Sequence, residues 1–193
     1  MRTAALGWAA VVGVLTSCTS TVAGTASPGG PPDLGAALAV QLPALRPVDP
    51  PPPPWQLCTT ALGTPAPRLD PALGEPVSVG HASEGTTLHA YAWATSAPMV
   101  AEAVLGQAGT EAPDCASAPP STDVVRSVED WAASGWTGVS IRTEVRGAGT
   151  AVEETRLVRS DEVVVLVVAA AEGEDHDLRE ADRFLAAVAD RLG

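Results

Sequence analysis

The chain has 193 residues, which is the length of one domain with an additional segment. Its 11 basic and 23 acidic residues give a formal net charge of −12, so it lacks the basic surface that neutralises phosphates, which argues against a nucleic-acid partner. Hydrophobic residues make up 46% but aromatic residues only 4%, so valine, leucine and alanine must supply most of the core.

The N-terminus has the features of an export signal. Arg2 precedes an uncharged apolar stretch, residues 4–15, which is too short to span a bilayer because a spanning helix takes about 20 residues. The stretch leads into LTSC, residues 15–18, which resembles the lipobox of bacterial lipoproteins. The resemblance implies a diacylglyceryl group on the Cys18 sulfur, cleavage before Cys18, and a place on the extracytoplasmic face of the cell membrane.

The alternative is an ordinary secreted protein in which Cys18 is incidental. The hydroxyl- and glycine-rich residues after Cys18 favour the lipoprotein, because they are similar to the same segment of many actinobacterial lipoproteins. Each buried methylene contributes about 0.8 kcal/mol, so two or three acyl chains of palmitate length would hold an acidic domain at the membrane. We therefore predict a signal peptide over residues 1–17 and a lipidated cysteine with a flexible tether over residues 18–33.

The other two cysteines, Cys58 and Cys115, are an even pair in a chain that we expect to be exported. A disulfide between them is therefore predicted, and the loop-entropy relation assigns it about 4 kcal/mol. The alternative is two free thiols that bind a metal or carry redox chemistry. That alternative lacks the CxxC spacing typical of such sites.

The first part of the domain contains a short helix and a run of prolines. Asp33 is expected to cap a helix with an apolar stripe that Pro43 ends. Residues 50–54 are all proline, and they predict an extended polyproline II strap about 15 Å long. The strap would lead Trp55 and Cys58 to the core. A ligand for a proline-reading module is the alternative.

Alternating apolar residues predict the strands that follow, namely residues 77–79, 88–93, 124–131, 139–145, 155–159 and 163–168. In residues 88–93, His89 shares one face with Tyr91 and Trp93. The unbroken valine and leucine run of residues 163–168 predicts the central strand, covered on both faces.

Two longer helices complete the prediction. The first has Ser96 as its cap and Pro98 in its first turn, and the second has Asp177 as its cap and Glu180 on its polar face. Short connections between the last strands predict an antiparallel meander with helices on one face. The fold class is therefore α+β, with an antiparallel or mixed sheet packed by two to three helices, in a single domain over residues 34–193.

This order of elements resembles the PknH-like extracellular sensor domain of actinobacterial receptor kinases and lipoproteins. The resemblance rests on AYAWATSAPMVAEAV (residues 90–104), on Cys115, on VVVLVV (163–168) and on DRFLAAVADRL (182–192). It implies a mixed sheet with flanking helices, a groove for an unidentified extracellular ligand, and no catalytic residues. Family members usually carry two disulfides and this chain has cysteines for one, so the resemblance does not extend to a cleft held by a second bridge.

The residues that carry catalysis or bind metals form no recognisable pattern. The three histidines have no metal-ligand spacing, and no nucleophile, phosphate-loop or dinucleotide signature is present. The acidic stretch of residues 172–177 lacks the spacing of a calcium loop and is interpreted as a solvated turn. We therefore predict no catalytic residue, no metal and no cofactor.

Aromatic residues are the remaining candidates for a binding site. Trp93, Trp131 and Trp136, with His89 beside the first, are the candidate lining of an apolar ligand groove. The alternative is that the tryptophans fill the core of an aromatic-poor domain. The leading hypothesis is a non-catalytic lipoprotein domain that binds or senses a small ligand. The alternative is a scaffold lipoprotein that binds another envelope protein, and an enzyme would need a pocket joining His89 to a carboxylate and a nucleophile.

Overall fold

Seven strands form one antiparallel sheet in the computed structural model, which describes residues 32–54, 56–58, 73–116, 123–146, 150–173 and 178–193. The strands are β1 (Arg46–Val48), β2 (Val77–Ser83), β3 (Thr86–Ala94), β4 (Val124–Ala133), β5 (Trp136–Val145), β6 (Ala151–Ser160) and β7 (Val163–Glu172). Within the sheet they lie in the order β1-β2-β3-β7-β6-β5-β4. The predicted strands and the α+β class are confirmed, and every described strand pair is antiparallel.

The helices are two long ones and two short ones among the described residues. They are α1 (Leu34–Leu38), α2 (Pro98–Glu111), α3 (Pro113–Ala116) and α4 (Arg179–Leu192). None of these helices has the length and apolar character needed to cross a bilayer.

The valine-rich strand β7 is the middle of the sheet, as predicted, and its side chains alternate between two cores. One core contains Val165 and Val167 with residues of α1 and α4, on what we call the α4 face. The other contains Val164 and Leu166 with residues of α2 and α3, on the α2 face. The prediction of helices on one face is therefore wrong. A strand that is apolar on both sides needs a covering layer on each side.

The capping residue was predicted correctly for α1 and wrongly for α2. Asp33 caps α1 as expected, because its carboxylate accepts a hydrogen bond from the Ala36 backbone N–H at 3.0 Å. Ser96 does not cap α2, since Ala97 occupies the N-cap position and Pro98 begins the helix. The fixed φ of proline fits the first helical position, so Pro98 determines where α2 starts. Helix α4 begins after Leu178, and the expected cap Asp177 lies outside the described residues.

The proline segment packs against the sheet beside β1. The Tyr91 hydroxyl donates a hydrogen bond to the Pro51 carbonyl at 2.9 Å, and burial raises the pKa of Tyr91. Gly80 permits a close approach here, since a Cβ at this position would lie 2.7 Å from the Val48 carbonyl oxygen. The predicted disulfide is present between Cys58 and Cys115, with their Cα atoms 5.9 Å apart, and it joins the end of this segment to α3.

Candidate functional site

A cluster of polar side chains lies buried on the α4 face, where most of the surrounding core is apolar. Ser140 on β5 and both Glu154 and Arg156 on β6 are at most 8% exposed. The Glu154 carboxylate accepts hydrogen bonds from the Ser140 hydroxyl at 2.8 Å and from Arg156 Nε at 2.5 Å. Strand alternation explains the arrangement, because residues 154 and 156 share one face of β6 and Ser140 is opposite Arg156 in the β5–β6 register.

Arg156 connects this cluster to helix α4. Its Nη1 donates to the Asp182 carboxylate at 2.5 Å, and the Asp182 side chain is 54% exposed. Burial by itself lowers the pKa of Arg156, but the hydrogen bonds and charges of Glu154 and Asp182 outweigh that effect, so the net pKa lies above the ordinary guanidinium value. Arg156 is therefore a permanent cation held between a buried and an exposed carboxylate.

The ring of Trp131 packs against the same guanidinium. The Arg156 guanidinium carbon lies 4.9 Å from the centre of the Trp131 ring, which is a cation–π contact. Trp131 is half-buried, and it lies opposite Gly138 in the β4–β5 register. Strands β5 and β6 approach closely at this glycine, since a Cβ there would lie 2.0 Å from the Leu157 carbonyl oxygen.

The structure separates the three tryptophans that the sequence grouped as candidates. Trp93 is 2% exposed in the core of the α2 face, and its indole N–H donates to the Gly74 carbonyl at 3.1 Å. Trp136 is 1% exposed in the core of the α4 face, and its indole N–H donates to the Leu185 carbonyl at 2.9 Å. The two large indoles therefore fill opposite cores, and Trp131 alone of the three keeps substantial exposed surface.

The remaining predicted site residues have different surroundings. His89 is half-buried on the α2 face, and burial lowers its pKa. The lipidation site Cys18 lies outside the described residues. No group of three or more histidine, cysteine, aspartate or glutamate side chains within the described ranges is arranged to hold a metal ion.

His81 was not singled out by the sequence, and it is the most buried histidine of the described residues. It packs in the α4 face 6.0 Å from the Phe184 ring, in an edge-on arrangement. Neither of its ring nitrogens has a hydrogen-bond partner among the described residues. Burial lowers its pKa, so the ring is neutral at pH 7. The strand predicted from the sequence ends at residue 79, so neither the place of His81 on β2 nor its packing against α4 was predicted.

A shallow cavity of about 410 Å³ opens between α1 and the end of α4. Asp33, Ala36 and Arg191 are among its lining residues, and Arg191 Nη1 donates to the Ala36 carbonyl at 3.0 Å.

Glu180, expected on the polar face of α4, is instead buried, with Oε1 paired to Arg183. Arg191 therefore joins the end of α4 to α1, while Glu180 and Arg183 pair within α4 itself.

We predict that Arg156→Met lowers the free energy of unfolding by about 3–5 kcal/mol, because Glu154 is left as a buried charge without its partner. Combining Arg156→Met with Glu154→Leu should recover most of this loss. Urea unfolding followed by tryptophan fluorescence gives the unfolding free energy of the single variant, the double variant and a control. Arg146→Met is the matched control, since Arg146 is exposed in its ion pair with Glu144 and should lose under about 1 kcal/mol. Equal losses at 156 and 146 would contradict the prediction.

We also predict that acid destabilises the protein partly through His81. The unfolded state takes up a proton near pH 6.5 and the folded state only at lower pH, so stability is full above pH 6.5 and falls as the pH drops below it. His81→Phe should flatten the fall in unfolding free energy between pH 7 and pH 5. His89→Phe is the comparison and should flatten it less, because His89 is more exposed. An unchanged slope in His81→Phe would refute this role.

Comparison with known proteins finds a solved structure with a similar fold. No family model matches the chain, and no curated protein matches it. Among solved structures, it is similar to the crystal structure of the extracellular domain of PknH from Mycobacterium tuberculosis, with 12% sequence identity and a TM-score of 0.50. The similarity covers 82% of this chain and 89% of that domain. The resemblance expected from the sequence is thus confirmed as a distant relationship of fold.

Proposed function

We propose that the chain is a cell-envelope lipoprotein whose extracytoplasmic domain acts by binding, without turnover. The observation that carries the proposal is the fold, which it shares over 82% of its length with an extracellular domain. The disulfide between Cys58 and Cys115 supports the same compartment, because such bonds persist in oxidising surroundings. The lipobox-like sequence before Cys18 supports attachment to the membrane through lipid.

Two of the residues predicted from the sequence remain candidates for the surface that binds a small ligand. Trp93 and Trp136 are enclosed in the cores, so a ligand reaching either would have to open the packing around it. Trp131 on the α4 face and His89 on the α2 face remain partly accessible. Trp131 is the better supported, since Arg156 holds its ring in place and reduces the ordering cost of binding.

A scaffold role, in which the domain binds another envelope protein, is the second candidate. The observation that favours it is strand β4, a ten-residue strand at the end of the sheet order. An edge strand presents backbone donors and acceptors that another chain can pair with. The two roles differ in what should stabilise the protein: a small molecule in the first, a stoichiometric protein in the second.

Lipid attachment predicts that cells grown with labelled palmitate incorporate the label into the wild-type chain and not into the Cys18→Ala variant. The labelled chain should also lack residues 1–17 by mass and fractionate with membranes. Ser20→Ala is the matched control, because it alters a small hydroxyl residue next to the site and leaves the acceptor sulfur intact. Label in Cys18→Ala would overturn the lipoprotein assignment.

Ligand binding predicts that the melting temperature of the full chain in mild detergent rises when envelope lipids, soluble envelope glycans or peptides are added one class at a time. A ligand at 100 times its dissociation constant stabilises by about 2.7 kcal/mol, which is a shift of several degrees. Trp131→Leu should abolish the shift and His89→Phe should keep it, while the reverse would place the ligand on the α2 face. No shift with any class would refute the small-ligand function and leave the scaffold.

A further inference from the structure

The first turn of α2 and the last turn of α4 lie at the same end of the sheet. Strand β3 finishes at that end with Ala94, which pairs with Val163 at the start of β7, and α2 begins shortly after it. Helix α4 runs toward this end, because Asp182 contacts the middle of β6 and Leu185, one turn later, contacts Trp136 at the start of β5. We call this end, which residues 95–101, 160–163 and 189–192 form, the anchor end.

The chain enters the described domain at the anchor end. Pro32 lines the same cavity as Arg191 and Leu192, and the Arg191 guanidinium donates to the Ala36 carbonyl of α1. Cys18 precedes Pro32 by 14 residues, and a chain of that length reaches at most about 50 Å. A ten-residue strand such as β6 is about 33 Å long, so a membrane at the opposite end would use most of that reach. A membrane at the anchor end would use little of it.

The first turn of α2 is an exposed apolar projection at the anchor end. Met99 is 73% exposed, more than any other large apolar side chain of the described residues, and Val100 beside it is 38% exposed. No charged side chain occurs from residue 90 to residue 101. An uncharged apolar projection of this kind can enter the boundary between the headgroups and the acyl chains of a bilayer.

The last turn of α4 supplies a cation at the same end. Arg191 is exposed at the cavity of about 410 Å³, and one of its five donors is used by the Ala36 carbonyl. Asp33 lines the same cavity, but its carboxylate caps α1 and forms no ion pair with Arg191 in the described part of the chain. The remaining guanidinium donors can therefore bind a phosphate group from outside.

One flat surface fits these two features together, and one small molecule does not. Helix α2 lies on one face of the sheet and α4 on the other, so the sheet separates Met99 from Arg191. A bilayer presents phosphate groups above apolar acyl chains, and it extends far enough to meet both residues at once. The bilayer that would hold the Cys18 lipid is the one within reach.

Charge selects the kind of lipid. The Thr95 N–H donates to the Glu162 carbonyl at 2.7 Å, so the acidic turn of Asp161 and Glu162 lies beside the start of α2. Asp190 precedes Arg191 on α4, and the whole chain has a net charge of −12. An anionic membrane surface would repel such a chain, whereas zwitterionic phospholipids offer phosphate without a net charge.

We propose that the anchor end rests on the zwitterionic phospholipid surface of the membrane that holds the lipid of Cys18. Met99 and Val100 enter the bilayer boundary, and Arg191 binds a lipid phosphate. The proposal rests on the lipid attachment proposed above. The strands then run away from the membrane, and the β2–β3 turn at Glu84 lies at the end furthest from it.

A fluorescent label at either end of α2 tests the docking, with the lipidated full chain in phosphatidylcholine vesicles. Met99→Cys and Thr110→Cys each add one free thiol, because Cys18 is acylated in that chain and Cys58 is bonded to Cys115. Position 110 is exposed and about 17 Å along the helix, so it is the matched control. An environment-sensitive label at position 99 should shift its emission to shorter wavelength and be quenched by a nitroxide-bearing lipid, and the label at position 110 should show neither effect.

Charge reversal tests the phosphate contact in the labelled Met99→Cys chain. Arg191→Glu should reduce the quenching, because it sets an acid against the lipid phosphate. Arg146→Glu is the matched control, since it makes the same charge change at an exposed arginine of the opposite end and should leave the quenching unchanged. Circular dichroism checks that each variant is folded.

Equal quenching at positions 99 and 110, or none at either, would overturn the proposal. Quenching that is indifferent to Arg191→Glu, or stronger in phosphatidylglycerol vesicles, would also overturn it. The proposed function fails by a different result, which is the absence of palmitate from Cys18. A lipidated chain whose label at position 99 stays in water would refute the docking alone.

Discussion

Strand β7 is the constraint on which the rest of the structure depends. It lies between β3 and β6 in the middle of the sheet, and its alternating valines and leucine are buried on both faces from Val163 to Val167. A strand of this kind is unstable unless each face is covered, so the helices must be divided between the two sides. Helices α2 and α3 cover one side, and α1 and α4 cover the other. The disulfide between Cys58 and Cys115 joins α3, on the α2 face, to the segment that follows the prolines.

The position of α4 is specified by polar contacts within an apolar layer. Asp182 accepts from Arg156, and the Leu185 carbonyl accepts from the Trp136 indole N–H, so two successive turns of α4 are tied to β6 and β5. Apolar packing alone would permit the helix to slide, since many placements bury similar area. A buried charge tolerates few placements because its partner must be in reach. We regard the Arg156 cluster as the feature that selects one placement of α4.

The sequence predicted the strands well because each depends on local alternation. In β3, Tyr91 and Trp93 indeed face one core while Leu88 and Ala92 face the other. It predicted poorly which face of the sheet each helix covers. That depends on the handedness of the connections around β7, which no short stretch of sequence determines. The candidate tryptophans show the same limit. Residue type marked them as large and apolar, but the opposite faces of Trp93 and Trp136 follow from register.

The polar cluster had a sequence signal that pattern reasoning alone could have found. Glu154 and Arg156 occupy alternate positions between Val152 and Val158, both fully buried, so β6 carries charges on a face whose ends are apolar. Burial of those charges requires partners, but the partners come from β5 and α4, at sequence distances of 14 and 26 residues. The contact with Trp131 depends on a third strand and on the close approach at Gly138.

Arg156 therefore links the interior of the domain to β4, the last strand in the sheet order. The same guanidinium bonds Glu154 in the sheet, Asp182 on α4 and the face of Trp131 on β4. Because Asp182 is exposed and Glu154 is buried, a change at the surface of α4 would reach the guanidinium through Asp182 while Glu154 holds it in place. One side chain thus connects the placement of α4 to the surface that Trp131 presents on β4.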